Sequence, residues 1–475
     1  MSRRFLALDL GAESGRAMLA SLDQQKLDLS ELHRWPNIPV RLPDGLYWDT
    51  LRLFHEICEG IRAAGKSASR LDGIAIDTWG VDFGLLGGDG ALLANPRHYR
   101  DGRTLGMYQQ VFAIVPKHEV FAATGIQFME INSLFQLFSI HQHTPRLLEE
   151  AAKLLFMPDL LNYFLTGVQC SERTIASTSQ FYSPATGDFS RELLGRLGIK
   201  AEFLAELVDP GARLGGLLPH VADQCALQQA PEVFTTGCHD TASAVAAVPA
   251  EENSRWCYIS SGTWSLMGVE LAEPVINEAT LDANFTNEVG VGRRIRLLKN
   301  IAGLWLLQEC RRAWAKEGAE YSYEELMQRA DAARPIDSII DPDAFGSPGH
   351  HPERIQESCR ETGQQVPKDA GETTRVILRS LAVRYKEVLE TLESLTGRSI
   401  DVIHIVGGGS RNRLLNQLAA DVTGRRVIAG PTEATAAGNA LTQAMGNGDI
   451  GSLEELRAII RQSFGVEEFR PRTGA

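Results

Sequence analysis

Apolar residues in this chain recur as short unbroken runs and as helical spacings, in alternation, and that pattern predicts an α/β protein. Phe5-Leu6-Ala7-Leu8 runs without a breaker to Asp9, which reads as a buried strand ending on a carboxylate. After Gly11-Ala12-Glu13-Ser14-Gly15-Arg16 the apolar run resumes at Ala17-Met18-Leu19-Ala20, so a glycine-punctuated turn joins two strands. Residues 51–64 place Leu51, Phe54, Ile57, Cys58 and Ile61 on one helical face. A strand over 72–77 ends on Asp77 and leads into Thr78-Trp79-Gly80-Val81-Asp82-Phe83. Residues 104–165 are mainly helical, with breaks at Pro116, Gly125 and Pro158. Val233-Phe234-Thr235-Thr236 is a short strand, Gly237-Cys238-His239-Asp240 a tight turn, and 241–248 a small apolar helix.

The second half opens as the first does. Trp256-Cys257-Tyr258-Ile259 is a strand, Ser260-Ser261-Gly262-Thr263 a small polar turn, and Trp264-Ser265-Leu266-Met267-Gly268-Val269 the returning strand. The spacing of the two units is domain-sized, which predicts a duplicated architecture rather than a solenoid. Pro249 and Glu251-Glu252-Asn253 read as a linker, so the expected domains are 1–250 and 251–475. Farther on, an amphipathic helix over 304–314 carries Gln308, and 373–395 is a long helix. A buried strand over 402–406 runs into Gly407-Gly408-Gly409, with Ser410 the expected cap of the next helix. Residues 435–445 form a tight, alanine-rich helix.

Composition narrows the function classes. The net charge is −13 with no long basic run, which argues against sequence-independent nucleic-acid or anionic-membrane binding. The seven cysteines are odd in number and none form a Cys-x-x-Cys pair, so neither a disulfide framework nor a zinc site is expected, and a reducing cytoplasm fits. Arg3-Arg4 followed by apolar residues resembles a signal peptide only until Asp9 interrupts the run. No stretch approaches the ~18 apolar residues of a membrane span.

The chemistry gathers at the turns. Backbone N–H groups in the 11–16 turn can converge on an anion, Ser14 and Arg16 add donors suited to phosphate, and Asp9 can hold the Mg²⁺ that accompanies one. The same residues also suit an ordinary polar hairpin, as do those of the 260–263 turn. The glycines at 407–409 offer bare backbone on which a flat group could lie, or simply make a tight turn. His239 is a type more often structural than catalytic, and Asp240 suits a helix N-cap. A P-loop, a Gly-x-Ser-x-Gly elbow and a His-Glu-x-x-His motif are all missing from the sequence. Any ATP site here is therefore hairpin-based.

These features, in this order, resemble the FGGY carbohydrate kinases of the sugar kinase/Hsp70/actin superfamily. The resemblance rests on Asp9 to Arg16, Asp77-Thr78-Trp79-Gly80-Val81-Asp82, Tyr99-Arg100-Asp101, His239-Asp240-Thr241, Ser261-Gly262-Thr263-Trp264-Ser265-Leu266-Met267-Gly268, Lys299-Asn300-Ile301 and Val406-Gly407-Gly408-Gly409. It spans nearly the whole chain. It implies two ribonuclease-H-like (actin-like ATPase) domains flanking a central cleft, the first mainly sugar-binding and the second mainly ATP-binding. It further implies that Ala12, Glu13, Ser14, Gly15 and Arg16 bind ATP phosphates, with Thr263, Gln308 and Gly408 completing the nucleotide site. Gly80, His239, Asp240, Thr241 and Asn300 would contact the sugar, Asp240 would be the general base, and Asp9, or in competition Asp77, would position Mg²⁺. Within the family the strings match the members that phosphorylate L-rhamnulose at its 1-hydroxyl, with L-fuculose or xylulose as alternative ketoses. Trp79 and Phe128 are candidates for an apolar wall facing the sugar methyl, although core packing suits both. Glu13 departs from the small hydroxyl residue also found there in the family, and residues 318–350 match weakly. The expected partners are a small-molecule ketose and ATP, with no nucleic acid and no membrane, in a monomer or small homo-oligomer. A sugar-responsive regulator of the same superfamily would need a DNA-binding element, and the acidic chain opens directly on its first strand.

Overall fold

A computed structural model describes residues 2–252, 254–347 and 349–472; Asn253, placed in the expected linker, lies outside them. The chain divides into two compact units. The first comprises Met1–Ala247, Glu270–Leu297 and Ala434–Ser463, and the second Val248–Val269, Leu298–Glu433 and Phe464–Ala475.

The first unit is built on a six-stranded sheet in the order Arg213–Gly216, Glu232–Phe234, Gly73–Thr78, Arg3–Leu10, Ser14–Asp23 and Lys26–Pro36. The central strand Arg3–Leu10 pairs antiparallel with Ser14–Asp23 and parallel with Gly73–Thr78. It is buried from Phe5 onward, as its unbroken apolar run requires. One face receives the helix Thr50–Ser67, whose Leu53, Ile57, Ile61 and Ala64 are buried. Asp49 caps that helix, its side chain accepting from Arg52 N at 3.1 Å. Leu6, Leu8, Ile57, Ile61, Ile74 and Ile76 meet in this layer. On the other face Ala7 and Met18 pack with Ala436 of the helix Ala434–Asn447. That helix lies against the helix Asp240–Ala246 so closely that a Cβ on Gly438 would sit 1.9 Å from the Ser243 carbonyl oxygen. A second core, rich in phenylalanine, gathers Phe121, Phe128, Phe135, Phe138, Phe156 and Phe181.

The second unit carries the strand order Ile295–Ala302, Trp264–Leu271, Trp256–Ser261, Val402–Val406, Arg426–Ala429 and Glu467–Phe469. Its opening repeats the first unit's plan. Trp256–Ser261 pairs antiparallel with the returning strand and parallel with the third, placing Ser261 opposite Ser265 and Ser260 beside Val406. The expected long helix runs over Ala370–Thr396. Ser410 does not cap the helix Arg413–Thr423: Asn412 does, its side chain accepting from Leu415 N at 3.0 Å, while a short 3₁₀ turn takes up Gly408–Arg411.

Candidate active site

In the first unit, register puts charge at the strand ends. Asp9 faces Arg16 across the antiparallel pair and Asp77 across the parallel pair. Arg16 is ion-paired with Asp9, so the cation expected to meet phosphate is already engaged by the carboxylate expected to serve Mg²⁺. The turn between them is fixed from outside: Asn37 Nδ2 donates to the Gly11 carbonyl at 2.7 Å, and Asn37 N to that of Glu13 at 2.9 Å. Ala12, Glu13 and Ser14 are partly exposed on this turn. Gly15 is buried, and a Cβ there would lie 2.2 Å from the Trp35 ring, so packing alone accounts for that glycine.

Asp77 is fully buried. Its Oδ2 accepts from Asn439 Nδ2 at 2.6 Å, and its Oδ1 has no hydrogen-bond partner among the described residues. Burial, then the charges of Asp9 and Asp240, raise this carboxyl well above its ordinary value. Asp9 is buried as well, and what distinguishes it is its ion pair with Arg16 beside the turn.

The strand Gly73–Thr78 leads into a strained corner. Val81, a β-branched residue, holds φ at 69°, a left-handed conformation that costs on the order of 1–3 kcal/mol. It is held there by Val81 N donating to Thr178 Oγ1 at 3.1 Å and by Ser133 Oγ donating to the Val81 carbonyl at 2.5 Å. Gly80 precedes it, and a Cβ there would meet Thr178 at 3.3 Å. Asp82 sits beneath as a buried acceptor for Trp48 Nε1 at 2.6 Å, Trp79 Nε1 at 3.0 Å and Gln136 Nε2 at 2.9 Å. Burial pushes its carboxyl up to about 6. Trp79 is thus fixed by its indole N–H, whereas Phe128 packs edge-on against Phe112 at 5.3 Å within the aromatic core.

His239 bridges in parallel to Thr78, and Asp240 begins the helix Asp240–Ala246. Asp240 is therefore not the N-cap; His239 holds that position and makes no side-chain cap bond. The turn is anchored from behind, with Cys238 N donating to Glu172 Oε2 at 3.2 Å and His239 N to Thr174 Oγ1 at 3.1 Å. Asp240 keeps 29% of its side chain exposed. Thr241 Oγ1 donates to Asp240 Oδ1 at 3.1 Å, and His239 Nε2 stands 3.5 Å from the same oxygen. Burial raises the Asp240 carboxyl, the charge of Asp9 adds to the rise, and His239 opposes it. On its other side His239 Nδ1 lies 3.2 Å from Glu288 Oε2, which in turn lies 3.1 Å from Arg296 Nη2. Glu288 and Arg296 were outside the sequence-derived set. A lone arginine within Ile295-Arg296-Leu297-Leu298 is the signal that marks them, because a cation in an apolar strand needs a buried counter-charge.

The second unit gathers the remaining nucleotide candidates. Gln308 Nε2 donates to Thr263 Oγ1 at 3.4 Å, and Trp305 N donates to the Thr263 carbonyl at 3.1 Å. Gly407 holds φ at 83°, and a Cβ on Gly409 would lie 2.0 Å from Ser261 Oγ. Gly408 between them is exposed, with nothing within 4 Å of where a Cβ would stand. Only this central glycine presents open backbone. Asn300 is half-buried on the strand Ile295–Ala302. Among the described residues there is no group of three or more His, Cys, Asp or Glu that could hold a metal, and no helix is long and apolar enough to cross a membrane. All seven cysteines are free and buried.

The FGGY family of carbohydrate kinases, N-terminal domain, matches residues 4–247, and its C-terminal domain matches 257–446. A rhamnulokinase of Bacteroides thetaiotaomicron is 45% identical over 474 residues, covering 99% of this chain and 96% of the relative. A rhamnulokinase of Bacillus subtilis is 38% identical over 470 residues, covering 98% and 95%. Among solved structures, a ligand-bound xylulose kinase from Lactobacillus acidophilus aligns with a TM-score of 0.81 at 15% identity, covering 99% of this chain and 94% of that one. The glycerol kinase of Plasmodium falciparum with ADP aligns with a TM-score of 0.77 at 16% identity, with the same coverage. At such identities the structures speak for the fold alone.

Proposed function

The chain belongs to the FGGY family of carbohydrate kinases, and from that premise we propose that it transfers the γ-phosphoryl group of ATP to the 1-hydroxyl of L-rhamnulose, giving L-rhamnulose 1-phosphate and ADP in L-rhamnose breakdown. The observation that carries the chemistry is Asp240: a partly exposed carboxylate opening the helix Asp240–Ala246, with its proton affinity raised by burial. A carboxylate near ~3.9 is a weak base for an alcohol, and a raised one is better matched to neutral pH. Phosphoryl transfer through a loose transition state asks chiefly for positioning and charge neutralisation. Asp240 orients the attacking hydroxyl and accepts its proton as the oxygen closes on the γ-phosphorus. His239, Thr241 and Gly80 hold the sugar, together with Asn300. The near full-length likeness to relatives named rhamnulokinase supports this ketose over L-fuculose or xylulose.

The nucleotide is assigned to the two hairpin turns. Ala12 to Arg16 donate to phosphate, and Thr263, Gln308 and Gly408 take the rest of ATP, so that domain 1–250 supplies most of the sugar site and domain 251–475 most of the nucleotide site. Mg²⁺ ordinarily keeps several waters and takes one or two carboxylates plus substrate phosphates. The residues fit that habit: Asp9 stands beside the open turn, Asp77 is withdrawn and partly orphaned, and no all-protein cage exists among the described residues. Bound there, the metal would neutralise charge on the phosphates, with Asp9 holding it through water. Arg16, ion-paired with Asp9, orients it for that role.

The test is coupled ADP release with ATP and Mg²⁺ across a panel of ketoses. Turnover with L-rhamnulose well above L-fuculose and xylulose is expected. Equal turnover without any ketose would remove the kinase reading.

A further inference from the structure

The corner that follows the strand Gly73–Thr78 is built against local preference. Asp82 N donates to the Gly80 carbonyl at 3.0 Å across Val81, whose φ is 69°. That is a γ-turn of the rare, strained hand. Glycine adopts this φ freely, whereas a β-branched residue there is an outlier. Yet the glycine stands one position earlier. Gly80 has no positive φ, so what it supplies is close approach: a Cβ there would meet the Thr178 side chain at 3.3 Å, and the residue stays partly exposed. Stability alone would place the glycine at 81.

Two other elements hold the corner. Val81 N donates to Thr178 Oγ1 at 3.1 Å, just past the short helix Arg173–Ala176. From the helix Ser133–His143, Ser133 Oγ donates to the Val81 carbonyl at 2.5 Å and Gln136 Nε2 reaches the same oxygen at 3.3 Å. Thr178, Ser133 and Gln136 are all buried. The stretch that carries Thr178 also fixes the neighbouring turn: Thr174 Oγ1 accepts from His239 N at 3.1 Å, and Glu172 Oε2 accepts from Cys238 N at 3.2 Å. Corner and turn are tied directly as well, Thr78 N donating to the Cys238 carbonyl at 2.9 Å. Residues 172–178 therefore set the backbone before Asp240 and the backbone around Gly80 together. Strain of this kind persists only where its surroundings over-determine it, and it gathers at functional sites.

We propose that Thr178 is a positioning residue: by accepting from Val81 N it holds the strained γ-turn that presents the open edge of Gly80 to the ketose, next to the His239–Asp240 turn. This deepens the kinase reading above and rests on it for the ligand, though not for the geometry. Loss of the Thr178 oxygen leaves the Val81 N–H unpaired and lets residue 81 relax toward negative φ. Gly80 then swings off the sugar and ketose capture weakens. None of the nucleotide candidates takes part in these bonds.

The experiment reads the corner in the full chain with and without ligand. Thr178→Val keeps the side-chain shape against Gly80 and replaces the hydroxyl by a methyl. The Ile175 carbonyl, to which that hydroxyl donates at 2.8 Å, still receives Thr178 N at 3.0 Å, so it is not orphaned. The variant should lower kcat/KM for L-rhamnulose by about 5- to 150-fold, the strain of one such residue expressed as a rate, and leave KM for ATP within about twofold. Thr178→Ser, which restores the oxygen, should recover most of the loss. Adding Val81→Gly to Thr178→Val should recover it too, because glycine takes the positive φ without an anchor. Ser133→Ala loosens the same corner from the other side; if Thr178→Val folds poorly, it should show a smaller ketose loss that Val81→Gly also recovers. Without ligand, hydrogen exchange of a peptide spanning 79–83 should quicken in Thr178→Val and slow again in the double variant. An unchanged ketose kcat/KM in folded Thr178→Val, an equal rise in KM for ATP, or no recovery on adding Val81→Gly overturns the proposal. Absence of ketose-dependent turnover in the native chain instead sinks the kinase reading, and exchange at 79–83 still decides whether Thr178 holds the corner.

Discussion

The two hairpins that open the halves share one backbone plan and differ in charge. In each, a buried strand turns through small polar residues into an antiparallel return and pairs parallel with a third strand. The first ends on Asp9, ion-paired with Arg16 and flanked in register by Asp77. The second ends on Ser260 and Ser261, with Thr263 bonded to Gln308 and Ser261 Oγ set against Gly409. The same fold thus supplies a charged turn in one unit and a neutral, hydroxyl-lined one in the other. A neutral turn can cradle a nucleotide without a large desolvation cost, whereas a carboxylate earns its place only near a cation or a proton in transit.

That contrast can be broken most sharply at the charged side. Asp240→Asn should keep ketose binding near native and lose turnover by at least ~10²-fold, the scale of general-base work. Near-normal ADP release from that variant would take Asp240 out of the chemistry. The pH profile should agree. Because the folded-state carboxyl of Asp240 is raised, protonation on acidification removes the base early. The acid limb of kcat/KM is then expected above the ordinary carboxylate range near ~3.9, and a limb at or below that range contradicts the assignment.

The neutral side yields a paired test of two adjacent glycines. Gly408→Ala meets open space, so its melting behaviour should match the native chain within about 0.5 kcal/mol, while KM for ATP rises. Gly409→Ala forces a Cβ onto Ser261 and should cost about 1–3 kcal/mol of stability. If both variants destabilise equally, the bare backbone at Gly408 has no special standing. The smallest effect is expected at Phe128. Its ring belongs to the aromatic core beside Phe112 and Phe121, so Phe128→Tyr should leave the ratio of kcat/KM between L-rhamnulose and a 6-hydroxy ketose within about twofold. A larger change would return Phe128 to the sugar wall.

How far each feature could be read in advance depends on the range of the forces behind it. Periodicity revealed both hairpins, the strand over 402–406 and the long helix, because burial of a strand or helix face is written in local spacing. Capping was less legible: Ser410 and Asn412 are both capable residues two positions apart, and the 3₁₀ turn over Gly408–Arg411 decided for Asn412. The reasons for individual glycines were not legible either. Gly15 and Gly409 look like ligand-facing positions in the chain, but Trp35 and Ser261, each distant or reversed in direction, fill the space a Cβ would need.

By itself the sequence determined the alternation of strands and helices, the duplicated strand–turn–strand plan, and the presence of carboxylates and glycines at strand ends, since these are properties of neighbouring residues. Only the tertiary structure decided which of those groups meet. It set Asn439 of the helix Ala434–Asn447 on Asp77, more than 350 residues away in the chain, paired Arg16 with Asp9, and ran Glu288 and Arg296 up behind His239. A buried charge is tolerated only where a distant partner arrives to balance it. The partner's identity is therefore a fact of packing rather than of spacing along the chain.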